Sequence, residues 1–230
     1  MTRAAARVAL LWALLGAAGC FDVHTVDPGP YVIDDFDDGD FQPADPSFGP
    51  WQCYSFDPST NQNYGCGHDQ DTADGSDFSL YVEFTIADPP DGTQQHGGAG
   101  LLTRSTVPQD LSRFTKIVFS AKLVSGSPPL PSAALFYAIL GCSTASTDAV
   151  SQPTPGDIFV VQSVSYGSDW QTFTLAMSSF GSPAWESIHI SGGASACLER
   201  VDSIQFEVDA QLPDGQSGTG RLNVDDISFQ

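Results

Sequence analysis

The sequence predicts an all-β fold, an antiparallel β-sandwich of the jelly-roll kind, over residues 31–230. Three observations predict it. Ten short runs rich in β-branched and aromatic residues stand between clusters of Gly, Pro, Ser and Asp, the pattern of short strands and tight turns. No stretch of this region sustains helical periodicity; only PQDLSRF (108–114) suggests a turn of helix. The acids are nearly all Asp, with Glu only at positions 83, 186, 199 and 207, and Asp favours turns over helices.

Ahead of the sandwich, residues 1–19 have the three parts of an export signal: cationic Arg3 and Arg7, an apolar run from Val8 to Leu15, and the small residues Ala17, Ala18 and Gly19. The run is too short to cross a hydrocarbon core of ~30 Å, which takes ~20 apolar residues, so it reads as cleavable. Cys20 directly after the small residues resembles a bacterial lipobox, with Ala17 where leucine is commonest. Cys20 is then the lipidation site, and each buried methylene of an acyl chain such as palmitate contributes ~0.8 kcal/mol of membrane attachment. Phe21 stands where an Asp would signal inner-membrane retention, so resemblance to other lipoproteins favours the outer membrane, with the domain periplasmic or surface-exposed. Residues 20–30 form the lipidated cysteine and a polar, Pro-containing tether.

From Tyr31 the expected strands are 31–36, 79–86, 100–105, 116–124, 134–140, 157–165, 171–177, 187–190, 201–210 and 221–229. Several alternate with the period of two that marks a half-buried strand. Ile117, Phe119, Ala121 and Leu123 oppose Lys116, Ser120 and Lys122; Ile204, Phe206 and Val208 oppose Ser203, Gln205, Glu207 and Asp209. In the last run, Asp226 shares parity with Leu222 and Val224, and Asp225 with Ile227 and Phe229, so one of the two carboxylates points inward. A buried carboxylate is costly unless paired or metal-bound.

The eight basic residues lose two with the signal, leaving six against 28 acids and a formal charge of −22. Such a surface repels nucleic-acid phosphates and favours cations and neutral ligands. Four cysteines follow Cys20: Cys53, Cys66, Cys142 and Cys197. An even number in an exported chain suggests disulfides, with three connectivities open. The short spacing pairs Cys53 with Cys66, leaving Cys142 and Cys197 to pair across the sheet. No CxxC supports a zinc site.

Five segments in order carry a family resemblance: VIDDFDDGD (32–40) with Gly49-Pro50-Trp51, DGSDFSLYVEF (74–84), DLSRFTKIVFSAK (110–122), SDWQTFTLAMSSF (168–180), and RVDSIQFEVDA (200–210) running to LNVDDISF (222–229). Together they resemble the galactose-binding-domain-like β-sandwiches, in particular family 11 carbohydrate-binding modules and the complex I intermediate-associated protein family. Segments 52–72 and 142–156 stand out as insertions. The resemblance implies a structural calcium ion between first and last strands, with Asp37 as the first-strand acid, Asp225 and Asp226 from the last strand, and the Gly75–Asp77 turn, including Asp77, as further oxygens. Calcium takes six to eight oxygen ligands, which these residue types supply. DQDTADGSD (69–77) lacks the strict alternation and twelfth-position Glu of an EF-hand and reads as a solvated acidic loop.

The resemblance also implies a glycan partner gripped by aromatic faces. Trp51, Tyr54, Tyr64, Tyr137, Tyr166 and Trp185 are the aromatics available, with Trp185, Tyr54, Tyr64 and Tyr137 the ligand-binding candidates and Trp51 and Trp170 at positions that pack in the family's core. No GxSxG, HExxH or Cys/His pair marks an enzyme, and His68 and His96 fall in Gly-rich, solvent-facing stretches. The expected protein is a non-catalytic carbohydrate-binding or surface-interaction lipoprotein; the alternatives are a structural or adhesive envelope lipoprotein and a glycan-active hydrolase.

Overall fold

A computed structural model describes residues 29–55, 61–73, 75–86, 95–130, 133–142, 156–165, 167, 169–181, 193–212 and 216–230. Its strands are β1 (Tyr31–Asp34), β2 (Gln52–Ser55), β3 (Asn61–Asp69), β4 (Ser79–Ile86), β5 (Gln95–Gln109), β6 (Lys116–Ser125), β7 (Ala133–Cys142), β8 (Gly156–Ser165), β9 (Gln171–Ala176), β10 (Val201–Leu212) and β11 (Gly218–Phe229), with a 3-10 turn at Met177–Ser179 and a short α-helix, α1 (Gly193–Leu198). They build two antiparallel sheets. One runs β3-β4-β11-β6-β9, with β1 also on β11; the other runs β2-β5-β10-β7-β8.

The predicted alternation places the core between the sheets. Ile117, Phe119, Ala121 and Leu123 of β6 are buried, as are Ile204, Phe206 and Val208 of β10. Phe119, Phe136 and Phe206 meet at ring-centroid separations of 4.7 to 6.2 Å, with Phe173 and Trp51 around them. Each such side chain removes roughly 150–250 Å² from water, which makes aromatic contacts the main apolar contribution here.

Strand β11 is split along its length. On one side its first half pairs with β4 (Gly218↔Ile86 to Val224↔Leu80) and its second half with β1 (Tyr31↔Phe229, Asp34↔Ile227). Between the halves the register with β6 slips, from Asp225↔Ser120 to Ser228↔Val118, and Asp226 takes a left-handed φ of 54°. This bulge answers the parity question in the sequence. One extra residue resets the alternation, so Leu222, Val224, Ile227 and Phe229 all reach the core. Asp225, fully buried, keeps the outward parity, and Asp226 is half-buried.

Cys53 pairs with Cys66 and Cys142 with Cys197, at Cα–Cα distances of 5.8 and 5.3 Å. The first joins β2 to β3 and so links the two sheets at one edge. The second does not cross a sheet; it ties α1 to the end of β7.

Three local expectations change. Segment 52–72, read as an insertion, contains β2 and β3; β2 is only four residues long, and the glycines and asparagines of NQNYGCGHD hid β3. Residues 108–114 hold the end of β5 and a single turn, in which the Asp110 carboxylate accepts Ser112 N–H at 3.0 Å and Leu111 O accepts Phe114 N–H at 3.1 Å; this Asx turn competes with helix. Segment 187–190 lies outside the described residues.

Candidate functional site

The outer face of the five-stranded sheet follows from register. Leu101, Phe206 and Phe136 point into the core, so their neighbours face away. One cross-strand row reads Tyr54 on β2, Gly100 on β5, Glu207 on β10 and Tyr137 on β7. The Tyr54 hydroxyl donates to Glu207 Oε2 at 2.8 Å. Gly100 makes this possible: a Cβ there would sit 2.7 Å from the Tyr54 ring and hydroxyl, so only a glycine lets the ring lie across β5. Burial, with the charges of Asp209 and Glu207 adding to it, raises the Tyr137 pKa above its ordinary value and keeps its hydroxyl protonated. The next row on this face is Gln52, Leu102, Gln205 and Ile139, and beyond Glu207 along β10 stands Asp209 opposite Leu135.

The sequence candidates divide between the sheets. Tyr54 and Tyr137 share the row just described. Tyr64, on β3, belongs to the six-stranded sheet and shares no platform with them. Trp51 is core, its Nε1–H donating to Asp34 Oδ2 at 2.7 Å. Trp185, Tyr166 and Cys20 lie outside the described residues. Trp170 is not a core residue: it is half-buried against Lys122, whose Nζ lies 5.1 Å from the ring centroid. His68 is on β3, packed against Phe41 at 4.5 Å between ring centroids, with Nε2 2.5 Å from Asp40 O, rather than in open solvent. The side chain of His96 lies outside the described residues.

The aspartates named for calcium fall in one hydrogen-bonded seam. Asp37 Oδ1 accepts the N–H of Asp77 at 2.9 Å, and Asp225 Oδ2 accepts Ala73 N–H and Ser76 Oγ–H, each at 3.0 Å. Neighbouring residues 76 and 77 thus bridge Asp225 to Asp37, while Asp226 N–H donates to Asp225 Oδ1 at 3.0 Å. Burial pushes the Asp225 carboxyl up to about 6, partly offset by its backbone donor from Ala73, with the Asp226 charge pushing the same way as burial. Among the described residues no Lys or Arg forms an ion pair with Asp225, and no three His, Cys, Asp or Glu side chains gather as a ready metal shell.

The acidic stretch 69–77, described except for residue 74, is tied down at several points although Asp71 and Asp77 remain exposed. It straps the outer face of the six-stranded sheet. Asp71 pairs with buried Lys122 and accepts the Trp170 Nε1–H at 3.0 Å, and these two hydrogen bonds hold its carboxyl below the ordinary carboxylate value. Asp69 accepts from Arg221 at 2.6 Å, and Arg221 lies 3.7 Å over the Tyr81 ring. The strap explains why Ser120 and Lys122, outward by alternation, are buried.

No family model and no curated protein matches the sequence. Solved structures match in fold. The family 11 carbohydrate-binding module of the cellulosomal cellulase Lic26A-Cel5E of Clostridium thermocellum is similar with a TM-score of 0.50 at 20% identity, over 87% of this chain and 94% of that one. A family 11 module from Clostridium thermocellum in complex with a β-1,3-1,4-mixed-linked tetrasaccharide gives 0.47 at 19% identity, over 78% of this chain and 87% of that one. An exo-β-agarase gives 0.46 at 13% identity, over 87% of this chain and 24% of that one. This chain therefore has the two-sheet β-sandwich fold of a family 11 carbohydrate-binding module.

Proposed function

We propose that this chain is a non-catalytic carbohydrate-binding lipoprotein of a bacterial envelope, and that its ligand face is the outer face of the five-stranded sheet. The observation that carries the reading is the row Tyr54–Gly100–Glu207–Tyr137. A sugar ring offers apolar C–H faces and a rim of hydroxyls. The half-buried Tyr54 ring suits the faces, with Tyr137, only 9% exposed, packed at the end of the row, and Glu207, Gln205, Gln52 and Asp209 suit the rim, a mixture of apolar wall and few polar groups. The net charge favours a neutral glycan. A fold alone hosts many functions; the fold shared with a carbohydrate-binding module supports the reading only together with this row.

A glycan array probed with the purified chain tests it. Wild type retains neutral oligosaccharides, and Glu207→Gln weakens them at least tenfold, since a hydrogen bond to a charged group is worth ~1.5–3 kcal/mol. Array-wide absence of binding by wild type refutes the reading and leaves the structural or adhesive role. Shortened products after incubation with the bound glycan would instead make it a hydrolase.

Two further parts belong to the same proposal. Cys20 anchors the sandwich through the 20–30 tether. A calcium ion at the Asp37–Asp225 seam, with Asp77 and Asp226 beside it and carbonyls of the adjoining turn, neutralises Asp225. What supports the ion is a fully buried carboxylate that no cationic side chain pairs among the described residues.

A further inference from the structure

The outer face of the six-stranded sheet is covered at one end by the 69–77 strap and is open at the other. At the open end lies a cavity of about 420 Å³, lined by Tyr64, Glu83, Thr85, Val124, Thr219 and Arg221 among others. It exists because β3 lacks a side chain where the row Gly65–Glu83–Arg221–Val124 crosses the sheet. A Cβ built on Gly65 meets nothing within 4 Å, and the backbone there is ordinary strand, so neither packing nor conformation requires glycine.

The polar groups at this end are under-used. Arg221 makes one short ion pair, to Asp69 at 2.6 Å, but its contact with the exposed Glu83 is only 3.5 Å, the outer limit of a hydrogen bond. Its Nε–H, itself buried, has no acceptor among the described residues, so the outer nitrogens are the ones a ligand meets. A guanidinium and a carboxylate set side by side offer donors and an acceptor together, which is what a hydroxyl needs. The Thr85 hydroxyl adds a group of either role and the Thr219 hydroxyl, which donates to Pro128 O at 3.2 Å, adds an acceptor, and Val124 and Tyr64 add apolar surface. Two carboxylates around one guanidinium leave the end of the cavity net negative, which disfavours an anionic ligand. The volume is at the small end of the ~300–1,000 Å³ range of ligand clefts.

We propose that this cavity is a second saccharide site, on the sheet opposite the first, taking one or two neutral sugar rings and reading hydroxyls through Glu83 and Arg221. The proposal borrows its ligand class from the function proposed above, but not its residues. Two separated sites on opposite faces would let one molecule bridge two glycan chains.

The test is calorimetric titration of the purified chain with cellobiose and with lactose. Variants are Gly65→Phe, whose Cβ meets nothing within 4 Å and whose ring occupies the open row; Glu83→Gln, at an exposed position; and Glu207→Gln on the other face. A site that Gly65→Phe abolishes and that Glu83→Gln weakens roughly tenfold, while Glu207→Gln leaves it intact, supports the second site. Wild-type affinity in both cavity variants overturns it, as does binding lost entirely in Glu207→Gln, which would leave the first face standing alone. Failure of wild type to bind either disaccharide also overturns it, while longer glycans on the array still decide the first face. Should Gly65→Phe not fold, Glu83→Gln alone decides, by weakening or not.

Discussion

Asp34, at the end of β1, is the group whose titration should be easiest to see. It is 1% exposed; Oδ1 accepts Phe36 N–H at 3.0 Å and Oδ2 accepts the Trp51 indole N–H at 2.7 Å. Burial dominates, these two bonds offset it in part, and the carboxyl is pushed from 3.8 up to about 7. A raised carboxyl pKa means the folded chain holds a proton that the unfolded chain has already lost. The penalty is therefore absent below the unfolded value, grows as pH rises through the interval, and is complete above about 7. Three units at ~1.36 kcal/mol each set the loss at about 4 kcal/mol. Asp34→Asn removes the titration. It also leaves one amide N–H facing either Phe36 N–H or the Trp51 indole, a pH-independent cost of ~1–3 kcal/mol. Denaturant unfolding of both proteins between about pH 4 and pH 8 isolates the effect, because other carboxyls such as Asp71 cancel in the difference. Wild type should lose most of that 4 kcal/mol relative to the variant as pH rises. A difference that stays constant with pH would refute the argument that Asp34 is desolvated.

Three other outcomes are expected. Replacing Cys53 and Cys66 by Ala opens a link across 13 residues and should cost ~3 kcal/mol in the chain-entropy account, read as a lower denaturant midpoint. If the seam holds calcium, a chelator lowers the melting temperature of wild type, by the equivalent of ~2.7 kcal/mol when the ion was at a hundred times its Kd, and leaves Asp225→Ala unchanged; wild type indifferent to chelator excludes the ion. Cys20→Ser should move the protein from the detergent phase to the soluble phase on phase partitioning, and retention of acyl chains in the variant would exclude the anchor.

Much of the fold was legible because period-two alternation is strong wherever a strand packs on one side only. SLYVEFTI (79–86) gave β4 to the residue, and β6, β7 and β10 came within two residues of their ends. β2 and β3 were not legible: NQNYGCGHD has the composition of a turn, and it is a strand because Cys66 docks inward and Tyr81 needs the space above Gly67, where a Cβ would come within 2.7 Å of its hydroxyl. Parity also had a blind spot at Asp225–Asp226. No sequence periodicity signals a bulge, so the inward carboxylate was sought facing the core when it is buried under the strap instead. On the outer face of the five-stranded sheet, Glu207 was visible as an outward residue of β10, but its partner Tyr54 lies 153 positions away in sequence, beyond any local pattern.

The order of the strands has a consequence for the order in which the chain can fold. β10 is the middle strand of one sheet and β11 of the other. Until residues 201–229 are available, β5 has no route to β7, and β1 and β4 have none to β6. Neither half-sheet has its hydrogen-bonding partner, and the Phe119–Phe206 contact at the centre of the core cannot form. Folding thus waits on residues 201–229 and is dominated by long-range pairing, which is slow. Until those two strands pair, the edges of β5, β7, β4 and β6 that they will cover stay open, and a chain in that state needs its unpaired edges protected.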